Sequence, residues 1–115
     1  RTAIIDSLAA QGTPAYVMTH ISHLYATGAS LYFTVLARQV DGDEDALIEQ
    51  WMTTKNAATQ AIVAAGGTIT HHHAVGKDHA AYLPDEVGSL GIKVLEAVKE
   101  TLDPAGILNP GKLVP

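Results

Sequence analysis

The sequence has 115 residues, 47% hydrophobic and 17% charged, with seven Lys and Arg against twelve Asp and Glu for a net charge of −5, and it contains no cysteine. That length suits one domain with a modest core and excludes a whole multidomain enzyme, while the missing thiols exclude disulfides, an iron–sulfur cluster, a thiolate zinc site and a cysteine nucleophile. The few basic residues are scattered from Arg1 to Lys112 and form no stripe to neutralise phosphates, so nucleic acid is not an expected partner. Cytosol is the default compartment for a chain without cysteine, no apolar run approaches the roughly 18 residues of a membrane span, and the first residues lack the layout of a signal peptide. A start at Arg1 rather than Met leads us to expect a piece of a longer protein.

Ile4, Ile5, Leu8 and Ala9 recur at helical spacing, which predicts a helix over Thr2–Gln11, stopped by Gly12-Thr13-Pro14. Ala15–His23 and Ala29–Arg38 are rich in β-branched and aromatic residues and flank a turn at Tyr25-Ala26-Thr27-Gly28, which predicts two antiparallel strands. In the second strand Ala29, Leu31, Phe33, Val35 and Ala37 share one face, and Ser30, Tyr32 and Thr34 the other. After a turn at Val40–Asp43, Leu47, Ile48, Trp51, Ala58, Ile62 and Ala65 outline a long amphipathic helix ended by Gly66-Gly67. Asp43, Glu44 and Asp45 complement its positive end.

Thr68–His71 then reads as a third, short strand, followed by the loop Gly76-Lys77-Asp78-His79. Pro84-Asp85-Glu86 opens a last helix with a stripe of Val87, Leu90, Gly91, Val94, Val98 and Leu102, closed by Asp103-Pro104. The tail from Ala105 to Pro115 mixes Gly and Pro with Ile107, Leu108, Leu113 and Val114, a pattern for an irregular segment docked on something apolar. The fold class is α+β, a small antiparallel sheet with helices on one face in a ferredoxin-like arrangement, plus the last helix and irregular tail. The second sheet face, carrying Tyr32, is where chemistry is expected.

His71-His72-His73 is the most unusual local feature among the six histidines. In an extended chain His71 and His73 share a side and His72 faces the other way, so one metal ion would need a further ligand such as His20, His23 or His79. A polar loop without function is the plain alternative; otherwise three imidazoles suit anion binding or proton transfer near neutral pH. Gly76-Lys77 could offer backbone N–H groups and an ammonium to a phosphate or carboxylate, but the glycine spacing of a nucleotide-binding loop is absent, as is a Gly-x-Ser-x-Gly elbow. Trp51 and Met52 read as core contacts, Tyr16, Tyr25 and Tyr82 as packing residues, and His20 and His23 as hydrogen-bonded structural histidines.

Three stretches carry a family resemblance: THISHLYATGASLYF (Thr19–Phe33), GGTITHHHAVGKDH (Gly66–His79) and LPDEVGSLGIKVLEAVKETLDPAGILNPGKLV (Leu83–Val114). Together they resemble the C-terminal end of FAD-linked oxidases of the vanillyl-alcohol-oxidase type. The triple histidine and the Tyr-x-x-Gly-x-x-x-Tyr-Phe pattern are most similar to the alkylglycerone-phosphate synthase branch. The resemblance implies a cap-domain portion over residues 1–83 and, over 84–115, a helix and tail that return to an FAD-binding domain outside the chain. It implies exchange of the acyl chain of acyl-dihydroxyacetone phosphate for a fatty alcohol, with no net redox change. Tyr32 matches a tyrosine acid/base, His72 and His73 match active-site histidines, His71 and Lys77 are assigned to substrate, and Asn109 to the cofactor. A phenol acting as a base at neutral pH needs a nearby cation or histidine, which the histidine loop could supply. Implied partners are the rest of the flavoenzyme and a small-molecule or lipid-like substrate, with a homodimer and peripheral membrane contact through the absent part also compatible.

Two departures stand out. Ala74 stands where the family pattern has Gly, and Leu108-Asn109-Pro110-Gly111-Lys112 is closer to the 2-hydroxyacid dehydrogenase branch. That branch has a metal-binding His-x-Gly-Asp-Gly-Asn-x-His segment, of which only His23 survives here, so no catalytic metal is expected. The alternatives are an FAD-linked oxidase or dehydrogenase of a 2-hydroxy acid and, in another class, a histidine-rich metal-binding or interaction module. On the flavoenzyme reading the 115 residues alone are expected to be inactive. Protonating six histidines moves the net charge of −5 to about +1, so solubility of the isolated chain should pass through a minimum near pH 6, read by turbidity across a pH series.

Overall fold

A computed structural model describes residues 1–114, in the order helix, strand, strand, helix, 3₁₀ turn, helix. The elements are α1 (Thr2–Ala10), β1 (Ala15–Tyr25), β2 (Gly28–Ala37), α2 (Glu44–Ala64), a 3₁₀ turn (Ala80–Tyr82) and α3 (Leu83–Leu102), an α+β arrangement. The chain divides into two compact units, one over Arg1–Ala61 and one beginning at Ile62. Among the described residues no helix is long and apolar enough to cross a membrane.

The first unit is built on the hairpin. β1 and β2 pair antiparallel in the register Ala15↔Ala37, Val17↔Val35, Thr19↔Phe33 and His20↔Tyr32, joined by the short turn at Ala26-Thr27. The predicted alternation holds: Phe33, Val35 and Ala37 line a groove of about 460 Å³ with Ile4 and Leu8 of α1 and Trp51 of α2. Helices therefore flank one sheet face, with Leu8 of α1 and Val17 of β1 buried, while Phe33 and Val35 in the groove stay partly open to solvent.

Gln50 ties the connections of this unit together. Its amide nitrogen donates to the Thr13 hydroxyl at 2.8 Å and to the Arg38 carbonyl at 3.1 Å, and its carbonyl oxygen accepts from the Val40 N–H at 3.3 Å. One buried side chain thus satisfies polar groups from the α1–β1 loop and the β2–α2 connection, groups that would otherwise lose water without recompense. Asp43 caps α2 by accepting from the Ala46 N–H at 3.1 Å, with Glu44 and Asp45 in the first turn as the dipole argument requires. Trp51 departs from its expected core role: it is 63% exposed, with the Lys55 ammonium 5.7 Å from its ring centroid. Met52 and Tyr16 are likewise exposed, because no element of this unit covers their faces.

In the second unit the predicted third strand over Thr68–His71 does not form, and the described sheet has two strands. The Ile69 N–H, which a strand would commit to a ladder, donates instead to a Glu86 carboxylate oxygen at 3.1 Å, and His72 takes a left-handed φ of 61° that ends any extended run. Ile69, Ala80 and Leu83 form the small core of this unit. α3 breaks at Gly88 (φ 73°, ψ 166°), a conformation open to glycine and costly for any other residue, so its first turn is set at an angle to the rest. The apolar stripe on α3 is present but largely uncovered, Leu90 and Leu102 being 74% exposed.

Replacing Gln50 by Leu should lower stability by about 2 kcal/mol, because polar groups of three loop residues lose a shared partner. Thermal unfolding of the protein carrying this chain, compared with wild type, measures the loss.

Candidate functional site

Three groups of candidate side chains emerge: the open sheet face, the histidine loop and the tail. On the open face the period of two carries Met18, His20, Tyr32 and Thr34 to the side away from the groove. The register then shifts between Ile21 and His23, so that His23 pairs with Ser30. This bulge at Ser22 turns His23 to the same face as His20 and Tyr32, whereas strict alternation would have sent it to the helix side. The bulge is held by Ser22, whose hydroxyl lies 3.1 Å from the Ser30 hydroxyl and 3.2 Å from His23 Nδ1.

The rings on this face are arranged in pairs. His20 stacks on Tyr32 with centroids 5.1 Å apart and an interplanar angle of 24°, and His23 stacks on Tyr25 at 6.5 Å and 17°. Tyr32 is 57% exposed, so its ring orientation is set by the imidazole while its outer surface remains open to a ligand. The expectation that His20 is merely structural misses this pairing; strict pairing about the predicted turn would set His20 opposite Phe33, and only the bulge at Ser22 brings it opposite Tyr32.

The histidine loop stands in the second unit. The chain is not extended here: with His72 left-handed, the His71 and His72 rings come together as a stack at 3.9 Å instead of alternating. His73 is exposed. The loop's first residues are joined to the first turn of α3, where the Thr68 hydroxyl donates to Glu86 Oε1 at 2.5 Å and the Ile69 N–H to Oε2. Its far end meets the tail, the Leu113 N–H donating to the Gly76 carbonyl at 3.1 Å. Gly111 lies close enough to Lys77 that a Cβ built on it would stand 3.8 Å from the lysine Cε, so Lys77 runs beside the tail. His79 carries a buried Nδ1 that has no hydrogen-bond partner.

The tail is organised by Asp103. Its carboxylate is paired with the Lys99 ammonium and accepts from the N–H groups of Ile107 at 3.0 Å and Leu108 at 2.9 Å, while Lys99 also donates to the Leu108 carbonyl at 2.5 Å. The lysine hydrogen bond foremost, then the Leu108 N–H, holds the Asp103 carboxyl below the usual carboxylate range. Asn109 follows directly with a φ of 47°, a left-handed conformation that asparagine tolerates better than most residues, and it is exposed. Sequence reading placed Asp103 only as a helix stop; its second role depends on backbone donors that no side-chain pattern reveals.

The model of the FAD linked oxidases, C-terminal domain, matches residues 2–113. The chain belongs to this family. The alkyldihydroxyacetonephosphate synthase of Dictyostelium discoideum is 38% identical to it over 105 residues, 91% of this chain and 17% of the relative. That of Trypanosoma brucei brucei is 30% identical over 115 residues, all of this chain and 18% of the relative. The mitochondrial D-lactate dehydrogenase [cytochrome] of Arabidopsis thaliana is 45% identical over 49 residues, 43% of this chain and 9% of the relative. The chain thus spans about a sixth of the length of the synthases it matches.

The family implies FAD, and the residues of this domain fit one part of it. An exposed phenol stacked on an imidazole, a histidine loop, a loop ammonium and an exposed amide are groups that can hydrogen-bond a flavin ring or an anionic substrate. This sequence contains no glycine-rich loop of the kind that cradles a pyrophosphate.

Because Asp103 is depressed in the folded state, its contribution to holding the tail is complete above its ordinary value of 3.8 and is lost as pH falls through its lowered folded value. Asp103→Asn should therefore loosen the tail at pH 7, and acid should loosen wild type in the same way. Amide exchange at Ile107 and Leu108, followed from pH 7 downward, checks both.

Proposed function

We propose that this chain forms the substrate side of the flavin in an ether-lipid-forming transferase of the alkyldihydroxyacetonephosphate synthase kind. The observation that carries the reading is coverage. The synthases match 91% and 100% of the chain, whereas the D-lactate dehydrogenase matches 43%. In the proposed reaction acyl-dihydroxyacetone phosphate and a fatty alcohol give alkyl-dihydroxyacetone phosphate and a fatty acid. The carbon–oxygen bond to the carboxylate breaks, one to the alcohol oxygen forms, and the alcohol proton passes to a base with no net oxidation. A bound flavin would supply an electrophilic, redox-active ring.

Each side chain has a task in this reading. Tyr32 moves the proton at its hydroxyl, and its ring is aligned by the stacked His20. His72 and His73 donate to or accept from the reacting oxygens, and His71 and Lys77 meet the anionic headgroup of the substrate. Asn109, presented on the organised tail, hydrogen-bonds the flavin. The pyrophosphate of FAD is held by an upstream domain that also receives the uncovered α3 stripe and Ile107, which is 75% exposed. Residues 1–83 act as the cap portion and 84–115 as the returning segment.

A second reading, an FAD-linked dehydrogenase of a 2-hydroxy acid, is favoured by the 45% identity to the D-lactate dehydrogenase within its 49 matched residues. Tyr32→Phe in the full-length holoenzyme separates the two. It should lower kcat for acyl-to-alkyl exchange on the order of a hundredfold with the flavin spectrum retained. Unchanged exchange, or turnover of 2-hydroxy acids with no exchange in wild type, would sink the synthase reading.

A further inference from the structure

We infer that Glu86 is the positioning residue of the histidine loop, acting through Thr68 and Ile69 to hold His71–His73 for the reaction proposed above, and resting on that reading. An acidic residue in the first turn of a helix is ordinarily explained by the helix dipole. Here the helix is interrupted at Gly88, and both oxygens of the Glu86 carboxylate are committed to donors of the loop instead: the Thr68 hydroxyl and the Ile69 N–H.

The loop requires such a hold. His72, a residue with a Cβ, sits at φ 61°, a strained state that persists only where its surroundings fix it. Its entry is fixed twice over, by the buried Ile69 side chain and by the two bonds to Glu86. Its exit is fixed at Gly76 by the Leu113 N–H. Between these anchors lie the three histidines, so a shift at Thr68 or Ile69 is passed directly to the imidazoles. Gly88 completes the device. Its backbone conformation lets the first turn of α3 point Glu86 at the loop independently of the direction of the remaining helix, and a Cβ added there meets nothing within 4 Å.

The geometry separates a hydrogen-bond clamp from a charge effect. The Thr68 hydroxyl also lies 3.2 Å from the Thr70 carbonyl. In Glu86→Gln the amide NH₂ can donate to the Thr68 oxygen while Thr68 donates to Thr70, and the amide oxygen still accepts from the Ile69 N–H. Both contacts therefore survive the loss of charge.

In the full-length holoenzyme, Glu86→Ala should raise amide hydrogen exchange over residues 69–73 about tenfold and leave residues 92–100 of α3 unchanged. Turnover should fall about tenfold, in kcat more than in KM, with the flavin spectrum retained. Glu86→Gln should restore most of both. If Glu86→Ala does not accumulate as holoenzyme, Thr68→Val removes one of the two bonds from the loop side and should give about a threefold change in each. Unchanged loop exchange, faster exchange without lost turnover, or equal losses in the Gln and Ala variants would each overturn the proposal. Turnover is read both on acyl-dihydroxyacetone phosphate with a fatty alcohol and on 2-hydroxy acids. A wild type inactive on both fails the functional reading, while hydrogen exchange still decides whether Glu86 holds the loop.

Discussion

The antiparallel ladder between β1 and β2 is the constraint on which the first unit depends. Side chains alternate along a strand, so pairing Val17 with Val35 and His20 with Tyr32 sends one set toward α1 and α2 and the other to an open face. A slip of one residue would turn Phe33 and Val35 away from the groove and set Tyr32 toward the helices. The bulge at Ser22 is the single exception to the alternation, and it adds His23 to the open face. Two strands alone make a marginal sheet, and the groove side chains of both helices and the Gln50 hydrogen bonds supply what the ladder lacks.

In the second unit two carboxylates perform the same kind of work on irregular backbone. Glu86 accepts from the start of the histidine loop, and Asp103 accepts from two consecutive N–H groups of the tail while pairing with Lys99. Neither segment has a ladder or helix to satisfy its donors, and a carboxylate with two oxygens can take two at once. The candidate residues of this unit are carried by backbone that has no regular structure of its own, presented from short anchors on a helix.

The two units differ in how they relate to function. The open sheet face offers flat, stacked rings with one exposed phenol, a surface suited to lie against a planar or elongated ligand. The histidine loop offers titratable nitrogens in a strained, braced turn. Both surfaces lie within the residues matched by the FAD-linked oxidase C-terminal domain.

Local pattern determined much of this in advance. Hydrophobic period with Gly and Pro stops located α1, α2 and α3, and β-branched composition about a turn located both strands, to within a few residues, while the period of two put Tyr32 away from Phe33 and Val35. The motifs around the triple histidine and the Asp-Pro ending were enough to point to the FAD-linked oxidases. What tertiary structure decided lies where a local rule had two outcomes. Thr68–His71 has strand composition, yet Glu86, far along the chain, takes the Ile69 N–H, and the strand is lost. His71 and His72 would alternate in an extended chain, yet a left-handed His72 stacks them. His23 would face the helices but for one unmatched serine. The first outcome is decided by a carboxylate distant in sequence and the other two by the backbone conformation or pairing of a single residue, and the hydrophobic period carries no information about either.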